Sequence, residues 1–190
     1  MGGVQTEEPA LHVVWRLYRS TVQLDTQRLL LPPLTGQHTE GLASVYADAE
    51  VAKYIGGSTL DAAATAIQVA RFQSIWTTLG YGQSAVIVRA SDEFIGRVGL
   101  HPWPEWNEVE IGWVIARHAQ GQGYATEAAS SWVRVAFGEL ALPRLTSVID
   151  PDNYRSRLLA ERLGFAVHRT DVTATGIHVV VYERLAPRGA

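Results

Sequence analysis

The sequence predicts a mixed α+β fold, a sheet with helices packed on it, and three observations carry that prediction. Helical periodicity fills residues 39–48 and 61–79, and turn-separated strand patterns follow to residue 115. Beyond residue 115 the patterns alternate as helix, strand, helix and two strands, an order that belongs to neither an all-helical nor an all-β chain. The third observation is the segment from Gln120 to Glu127, where two glycines and an alanine sit between a strand-like run and a strongly periodic helix.

The elements follow in order. Residues 1–20 read as an N-terminal extension, with a helix or strand near 11–19, ahead of a single domain over residues 21–187. Residues 26–34 form a short apolar strand stopped by Pro32 and Pro33, because proline removes a ladder donor. The helix over 61–79 puts Ala64, Ile67, Ala70, Arg71, Ile75 and Leu79 near one face, with Asp61 as a first-turn acid or cap. Residues 50–57 between the two helices read as a loop ending in Gly56 and Gly57. Strands at 84–89 and 94–101 flank the turn-rich Ala90-Ser91-Asp92-Glu93, and 108–115 is the third strand of the meander. The next helix spans about 124–140, with Ala125, Ala129, Trp132, Val133, Ala136, Phe137 and Leu140 as its core stripe. A strand at 144–150, a helix at 153–163 stopped by Gly164, and strands at 165–170 and 177–185 complete the chain.

Composition narrows the function. The 190 residues suit one domain; 47% are apolar and 18% charged, as in a globular protein. A net charge of −3 argues against nucleic acid as a partner, since duplex binders carry a basic stripe. The absence of cysteine excludes disulfides, thiolate metal sites and a cysteine nucleophile, and fits a cytoplasmic protein. No apolar run approaches the ~18 residues of a membrane span, and the six histidines form no ligand cluster, so neither membrane nor metal is expected. Met1 to Thr6 formally matches a myristoylation pattern, a short motif that often arises by chance.

The glycine segment points to phosphate. Glycines let the main chain approach a ligand closely, and the helix behind offers unpaired N–H groups at its positive dipole end. A Walker loop requires Gly-Lys-Ser/Thr, which is missing, and a Rossmann fingerprint requires a small third residue where Thr126 stands.

The loop resembles motif A of the GNAT acyl-CoA N-acyltransferases, with Gln120, Gly123 and Ala125 in its fixed positions. Glu110-Ile111-Gly112-Trp113 lies on the preceding strand, and Asn153-Tyr154-Arg155-Ser156 precedes Glu161-Arg162-Leu163-Gly164-Phe165. Upstream, Thr26-Gln27-Arg28-Leu29, Lys53-Tyr54-Ile55-Gly56 and Ile95-Gly96-Arg97-Val98-Gly99-Leu100 also match, so the resemblance covers residues 24–185 and is nearest to the RimJ/RimL-like subgroup. It implies a mostly antiparallel central sheet of about six or seven strands with helices on both faces.

What the resemblance implies for chemistry is transfer of an acetyl group from acetyl-CoA to a primary amine, either a protein N-terminus or a small molecule. The pyrophosphate is expected on Gly121, Gln122, Gly123, Tyr124, Ala125 and Thr126 behind Gln120, and the pantetheine arm along Trp113, Val114 and Ile115. Asn153 resembles the family's pantetheine-binding asparagine and equally suits a helix cap. Many relatives use a tyrosine acid at the position held here by Ala160. Ser156 is expected in its place, hydrogen-bonded to sulfur. Glu110 is the preferred general base, directly or through water, because a carboxylate on an apolar strand gains basicity on burial; Glu108, of the same parity, and His101 are the alternatives. Tyr54, Trp103 and Trp106 are expected as walls of the acceptor pocket. Family habit allows a homodimer. Two readings compete with acetyl transfer: a non-catalytic acyl-CoA-binding or regulatory module, to which the missing tyrosine lends weight, and a nucleotide-dependent oxidoreductase.

Overall fold

The computed structural model describes residues 24–56 and 58–187; the segment read as an extension, its Met1 to Thr6 pattern and Gly57 lie outside them. The strands are β1 (Leu24–Asp25), β2 (Leu29–Leu31), β3 (Gln83–Val88), β4 (Glu93–Trp103), β5 (Glu108–Ile115), β6 (Arg144–Ile149), β7 (Ala166–Val172) and β8 (His178–Leu185). The helices are α1 (Thr39–Tyr46), α2 (Ala49–Ala52), α3 (Ala62–Leu79), α4 (Tyr124–Gly138) and α5 (Tyr154–Arg162). The strands make one sheet in the order β1-β2-β3-β4-β5-β6-β8-β7. Every neighbouring pair is antiparallel except β5 and β6, which run parallel with α4 as their crossover.

Two expectations change in detail. The strand expected over 26–34 is confined to Leu29–Leu31, because the chain reverses ahead of it, between Asp25 and Leu29: the Thr26 N–H donates to Leu29 O at 3.1 Å and the Thr26 hydroxyl accepts from the Leu29 N–H at 2.9 Å. The two-residue strand β1 on the other side of that reversal brings the sheet to eight strands. The loop over 50–57 begins inside the short helix α2, capped by the Asp48 carboxylate on the Glu50 N–H at 2.9 Å. Elsewhere the punctuation acts as read. Asp61 caps α3 through the Ala64 N–H at 2.8 Å, and left-handed Gly80 (φ 74°) ends it.

Strand alternation divides the core. Val98, Leu100 and Ile111 face α4, where Ala128, Ala129, Trp132 and Ala136 pack fully buried against them. The opposite face carries Ala85 and Val114, covered by Leu42 and Tyr46 of α1 and by Val69 and Phe72 of α3. Gln83, Arg97, Gly99, His101, Glu110 and Gly112 share that second face, because Gln83 pairs with Gly99, Gly99 with Gly112, and His101 with Glu110. A polar row therefore runs between the α1–α3 layer and the sheet. Trp132 lies wholly buried, its ring 5.6 Å from that of Trp76. Trp132→Ala is expected to lower the unfolding free energy by about 3–5 kcal/mol, to be measured by denaturant titration.

Candidate active site

Every residue of β5 is registered with β4, whereas Glu110–Thr146 is the registered pair with β6. Beyond Glu110 the two parallel strands part, and the edge of Trp113, Val114 and Ile115 turned away from β4 has no strand partner. The parting opens a cleft of about 1550 Å³, lined on one side by Trp113, Val114 and Ile115 and on the other by Ser147, Val148 and Ile149. Its far end reaches the α1–α3 layer at Tyr54, Phe72 and Arg97.

The glycine loop lies at the mouth of this cleft. Gly121 (φ 77°) and Gly123 (φ 83°) both adopt left-handed backbone, which a side chain would strain. A Cβ at Gly121 would meet nothing within 4 Å, so the loop is open on that side. Helix α4 starts with Gly123 as its cap and no side-chain hydrogen bond to its first N–H groups. The Thr126 hydroxyl, which also lines the cleft, has no hydrogen-bond partner among the described residues. An anion suits such a helix start.

Three side chains hold the loop in place. Gln120 Nε2 donates to Ile115 O at 2.9 Å, while Arg155 donates to Gln120 Oε1 at 3.0 Å, so Gln120 braces the end of β5 against α5. Gln122 turns away from the cleft and donates to His118 O at 3.1 Å. Arg28 donates to Gln122 O and pairs with Glu127 at 2.6 Å, its guanidinium 4.6 Å above the Tyr124 ring. Burial alone would raise the Glu127 pKa, but hydrogen bonds from Thr26 and Arg28 outweigh it and hold the carboxyl below its usual range. The one acid in the first turn of α4 is thus neutralised beside the anion-ready loop.

Glu110 and Glu108 separate clearly. Glu108 is buried and ion-paired to Arg169, at 2.8 and 3.1 Å, outside the cleft lining. Glu110 faces the cleft, accepts from Trp103 Nε1 at 2.7 Å, and has no ion pair. Burial raises its pKa above the usual carboxylate range, against the opposing pull of the Trp103 hydrogen bond, Arg97 and the Val148 N–H. His101, its neighbour across the strands, has its pKa lowered by burial and then by Arg97, so its ring is neutral near pH 7. Its Nδ1 is buried without a hydrogen-bond partner.

The expected acid and pantetheine positions meet on α5. Asn153 caps that helix, its Oδ1 accepting from the Ser156 N–H at 3.1 Å, which leaves its amide NH₂ free to donate. Trp113 Nε1 donates to Ser156 Oγ at 3.1 Å, so the serine has its own O–H to give. Of the expected acceptor walls, Tyr54 and Trp103 line the cleft. Trp106 does not: it stacks on Trp103 at 4.8 Å and carries Arg169 above its ring. Among the described residues, no group of three potential ligands could hold a metal, and no helix is long and apolar enough to cross a membrane.

The family follows from comparison with known proteins: residues 28–166 match the acetyltransferase (GNAT) domain. The chain belongs to the GNAT acetyltransferase family. YkkB of Bacillus subtilis is 35% identical over 55% of this chain, and the match spans 63% of that relative. The uncharacterized N-acetyltransferase YoaA of the same organism is 28% identical over 75% of this chain and 81% of its own. Among solved structures, the acetyltransferase from Agrobacterium tumefaciens is 30% identical with a TM-score of 0.77, covering 88% of this chain and 96% of that one. RimL, the ribosomal L7/L12 alpha-N-protein acetyltransferase in complex with coenzyme A, shares the fold at 16% identity and a TM-score of 0.69, over 84% and 95% of the two chains.

Sequence reasoning assigned no role to two parts of this cleft. Arg28 and Glu127, 99 residues apart in sequence, lock the loop, and Arg97 enters the far end of the cleft clamped by Gln83 and Tyr46. Both arginines lie in quoted matches, Thr26-Gln27-Arg28-Leu29 and Ile95-Gly96-Arg97-Val98-Gly99-Leu100, but what they do depends on partners remote in sequence.

The two glutamates should part in stability as they do in geometry. Glu108→Gln is expected to destabilise by about 3 kcal/mol, since it leaves Arg169 without its buried partner. Glu110→Gln should leave the melting temperature unchanged or raise it above neutral pH. A folded-state pKa above the unfolded one favours folding below the unfolded value, and that contribution is lost as pH rises through the raised value. Thermal melts of both variants across pH make the comparison.

Proposed function

We propose that the protein transfers an acetyl group from acetyl-CoA to a primary amine by direct attack, with Glu110 taking the proton from the amine. The observation that carries the proposal is Glu110 itself, a carboxylate of raised pKa without an ion pair, facing the cleft between β5 and β6. The open Gly121 turn and the uncapped α4 N-terminus fit a diphosphate. The partnerless edge of Trp113, Val114 and Ile115 fits an amide-bearing arm that hydrogen-bonds like an added strand. Coenzyme A offers both groups, and its thioester supplies the activated acetyl carbon.

The chain's own residues then divide the work. The N–H groups from Gly121 to Thr126, with the Thr126 hydroxyl, hold the diphosphate; Gln122 contributes only its backbone, its side chain being folded back on His118 O. Gln120 acts by bracing the loop. The Asn153 amide and the free edge of β5 orient the arm, with a β5 N–H placed to polarise the carbonyl. Burial raises the Glu110 pKa, which makes its carboxylate a stronger proton acceptor toward the amine. Ser156, held by Trp113, donates its hydroxyl hydrogen bond toward the departing sulfur. The first turn of α5 thus substitutes for the missing tyrosine at Ala160.

Thiol release from acetyl-CoA with a panel of primary amines tests the activity, with mass measurement of the product. Glu110→Gln should lower kcat by about 10²–10⁴-fold. The acid limb of the wild-type rate profile should rise with pH through a value above the ordinary carboxylate range and be absent in that variant. Tight coenzyme binding with no thiol release from any amine would instead favour an acyl-CoA-binding module. Gly121→Val with Gly123→Val should weaken coenzyme A binding by at least about tenfold in a folded protein, because valine opposes both left-handed turns; calorimetric titration reads this directly.

A further inference from the structure

The acceptor end of the cleft holds a cation with no ion-pair partner among the described residues, Glu110 acting on it only at longer range. Arg97 is half-buried, and its guanidinium is fixed by neutral groups: Nε donates to the Tyr46 hydroxyl at 2.6 Å and Nη1 to Gln83 Oε1 at 2.9 Å. Gln83, itself 1% exposed, is locked by donating to Gly99 O at 2.9 Å. The guanidinium also lies 5.0 Å from the centre of the Phe72 ring. Its Nη2 makes no hydrogen bond among the described residues, is not sealed from solvent, and belongs to the cleft lining. Lys53 and Arg71 line the same cleft, but both are exposed and water can solvate them. A partly desolvated guanidinium held rigid by neutral partners is costly unless an anion completes it.

The floor beside Arg97 is bare. Along β4 and β5 the pair Arg97–Val114 is followed by Gly99–Gly112 and then by His101–Glu110. The central pair has no side chain: a Cβ on Gly99 would strike Gly82 O, so backbone at the start of β3 fills that side, whereas a Cβ on Gly112 would meet only the Glu110 carboxylate, at 3.4 Å, and the open space lies over Gly112. Arg97 and His101 stand on one face of β4 about 13 Å apart along the strand, at ~3.3 Å of rise per residue. Arg97 and Glu110 form no ion pair across that gap. The slot therefore has a fixed cation at one end, a proton-accepting carboxylate at the other, and no β4 or β5 side chain between, with Phe72 of α3 as its wall near Arg97 and His101.

We infer that the acceptor is a small zwitterion, an amino acid whose carboxylate docks on Arg97 while its amine lies against Glu110. A protein N-terminus would bring a neutral amide carbonyl and a continuing chain to Arg97, leaving the cation without a counter-charge. The inference rests on the acetyl-transfer reading for the role of Glu110, while the docking of the carboxylate can be read by binding alone.

The test compares each free L-amino acid with its own C-terminal amide, and with a tripeptide sharing its first residue, in the thiol-release assay. The free acid should be preferred over the amide by at least about tenfold in kcat/KM, the scale of a charge-assisted hydrogen bond. Arg97→Gln should remove that preference, read as the acid-to-amide ratio of kcat/KM and arising mainly from the KM of the acid; Arg97→Lys, which keeps the charge, should restore part of it. Equal use of acid and amide by the wild type, preference for the tripeptide, or equal damage to both by Arg97→Gln would overturn the inference and leave acetyl transfer standing. Where no acceptor releases thiol, calorimetric titration of the same amino acids into the coenzyme A-bound protein decides. Binding that Arg97→Gln abolishes supports the docking and removes the transfer reading, and absence of binding to the wild type removes both.

Discussion

Parallel strands hold one another through slanted hydrogen bonds, and β5 and β6 make their registered contact only at Glu110 and Thr146. The rest of the site depends on where that contact stops. A few more paired residues would close the cleft and leave the edge of Trp113, Val114 and Ile115 with nothing to bind. The crossover α4 begins just past the end of β5, so its N–H groups lie at the mouth of the opening that the parting creates. Gln120 fixes that relation by bonding Ile115 O on one side and Arg155 of α5 on the other. The width of the cleft is thereby held by hydrogen bonds to rigid elements, as positioning a bound ligand requires.

The features legible in the sequence are those whose causes are local. Gly121 and Gly123 could be read as a ligand turn because a left-handed backbone next to a helix start excludes most other residues there. Asn153 was readable as a cap for a similar reason, its side chain reaching only to Ser156. The order of strands and helices came from periodicity; it missed the short helix α2, and it missed β1, where an apolar run conceals a reversal made by Thr26. The choice between Glu108 and Glu110 was not available, since parity places both on one face. What separates them is Arg169, brought in from β7 to neutralise Glu108. Arg97 stands in a quoted motif match, but its clamp needs Tyr46 from α1 and Gln83 from β3, which only the folded sheet brings together.

The polar face of the sheet carries a stability cost that the fold contains. Glu110 of raised pKa, His101 with an orphaned Nδ1 and a clamped, unpaired Arg97 all lie between the sheet and the α1–α3 layer. Each is at least partly withdrawn from water, and none is paired with another by an ion pair or hydrogen bond. A fold selected only for stability would join Arg97 to Glu110, which stand on the same face, or replace both with apolar residues. The sheet instead puts the glycine pair Gly99–Gly112 between them and anchors each to a neutral donor or acceptor, Trp103 for the acid and Tyr46 with Gln83 for the base. Neutral anchors fix position without cancelling charge, so both groups retain the electrostatic attraction they would exert on a ligand.

That arrangement stays affordable because the charges the site does not use are neutralised. Glu108 is closed off by Arg169, and Glu127 by Arg28 and Thr26, although each lies within two residues of β5's working carboxylate or the glycine loop. Left unpaired, Glu108 would raise the Glu110 pKa further through like-charge repulsion. Left unpaired, Glu127 would oppose any anion at the start of α4. The two ion pairs thus act on function by subtraction, removing negative charge from the places where it would compete with a diphosphate or mistune a proton acceptor. The buried apolar face on α4 bears the stability, with Trp132 at its centre, and this leaves the opposite face free to hold charges unpaired.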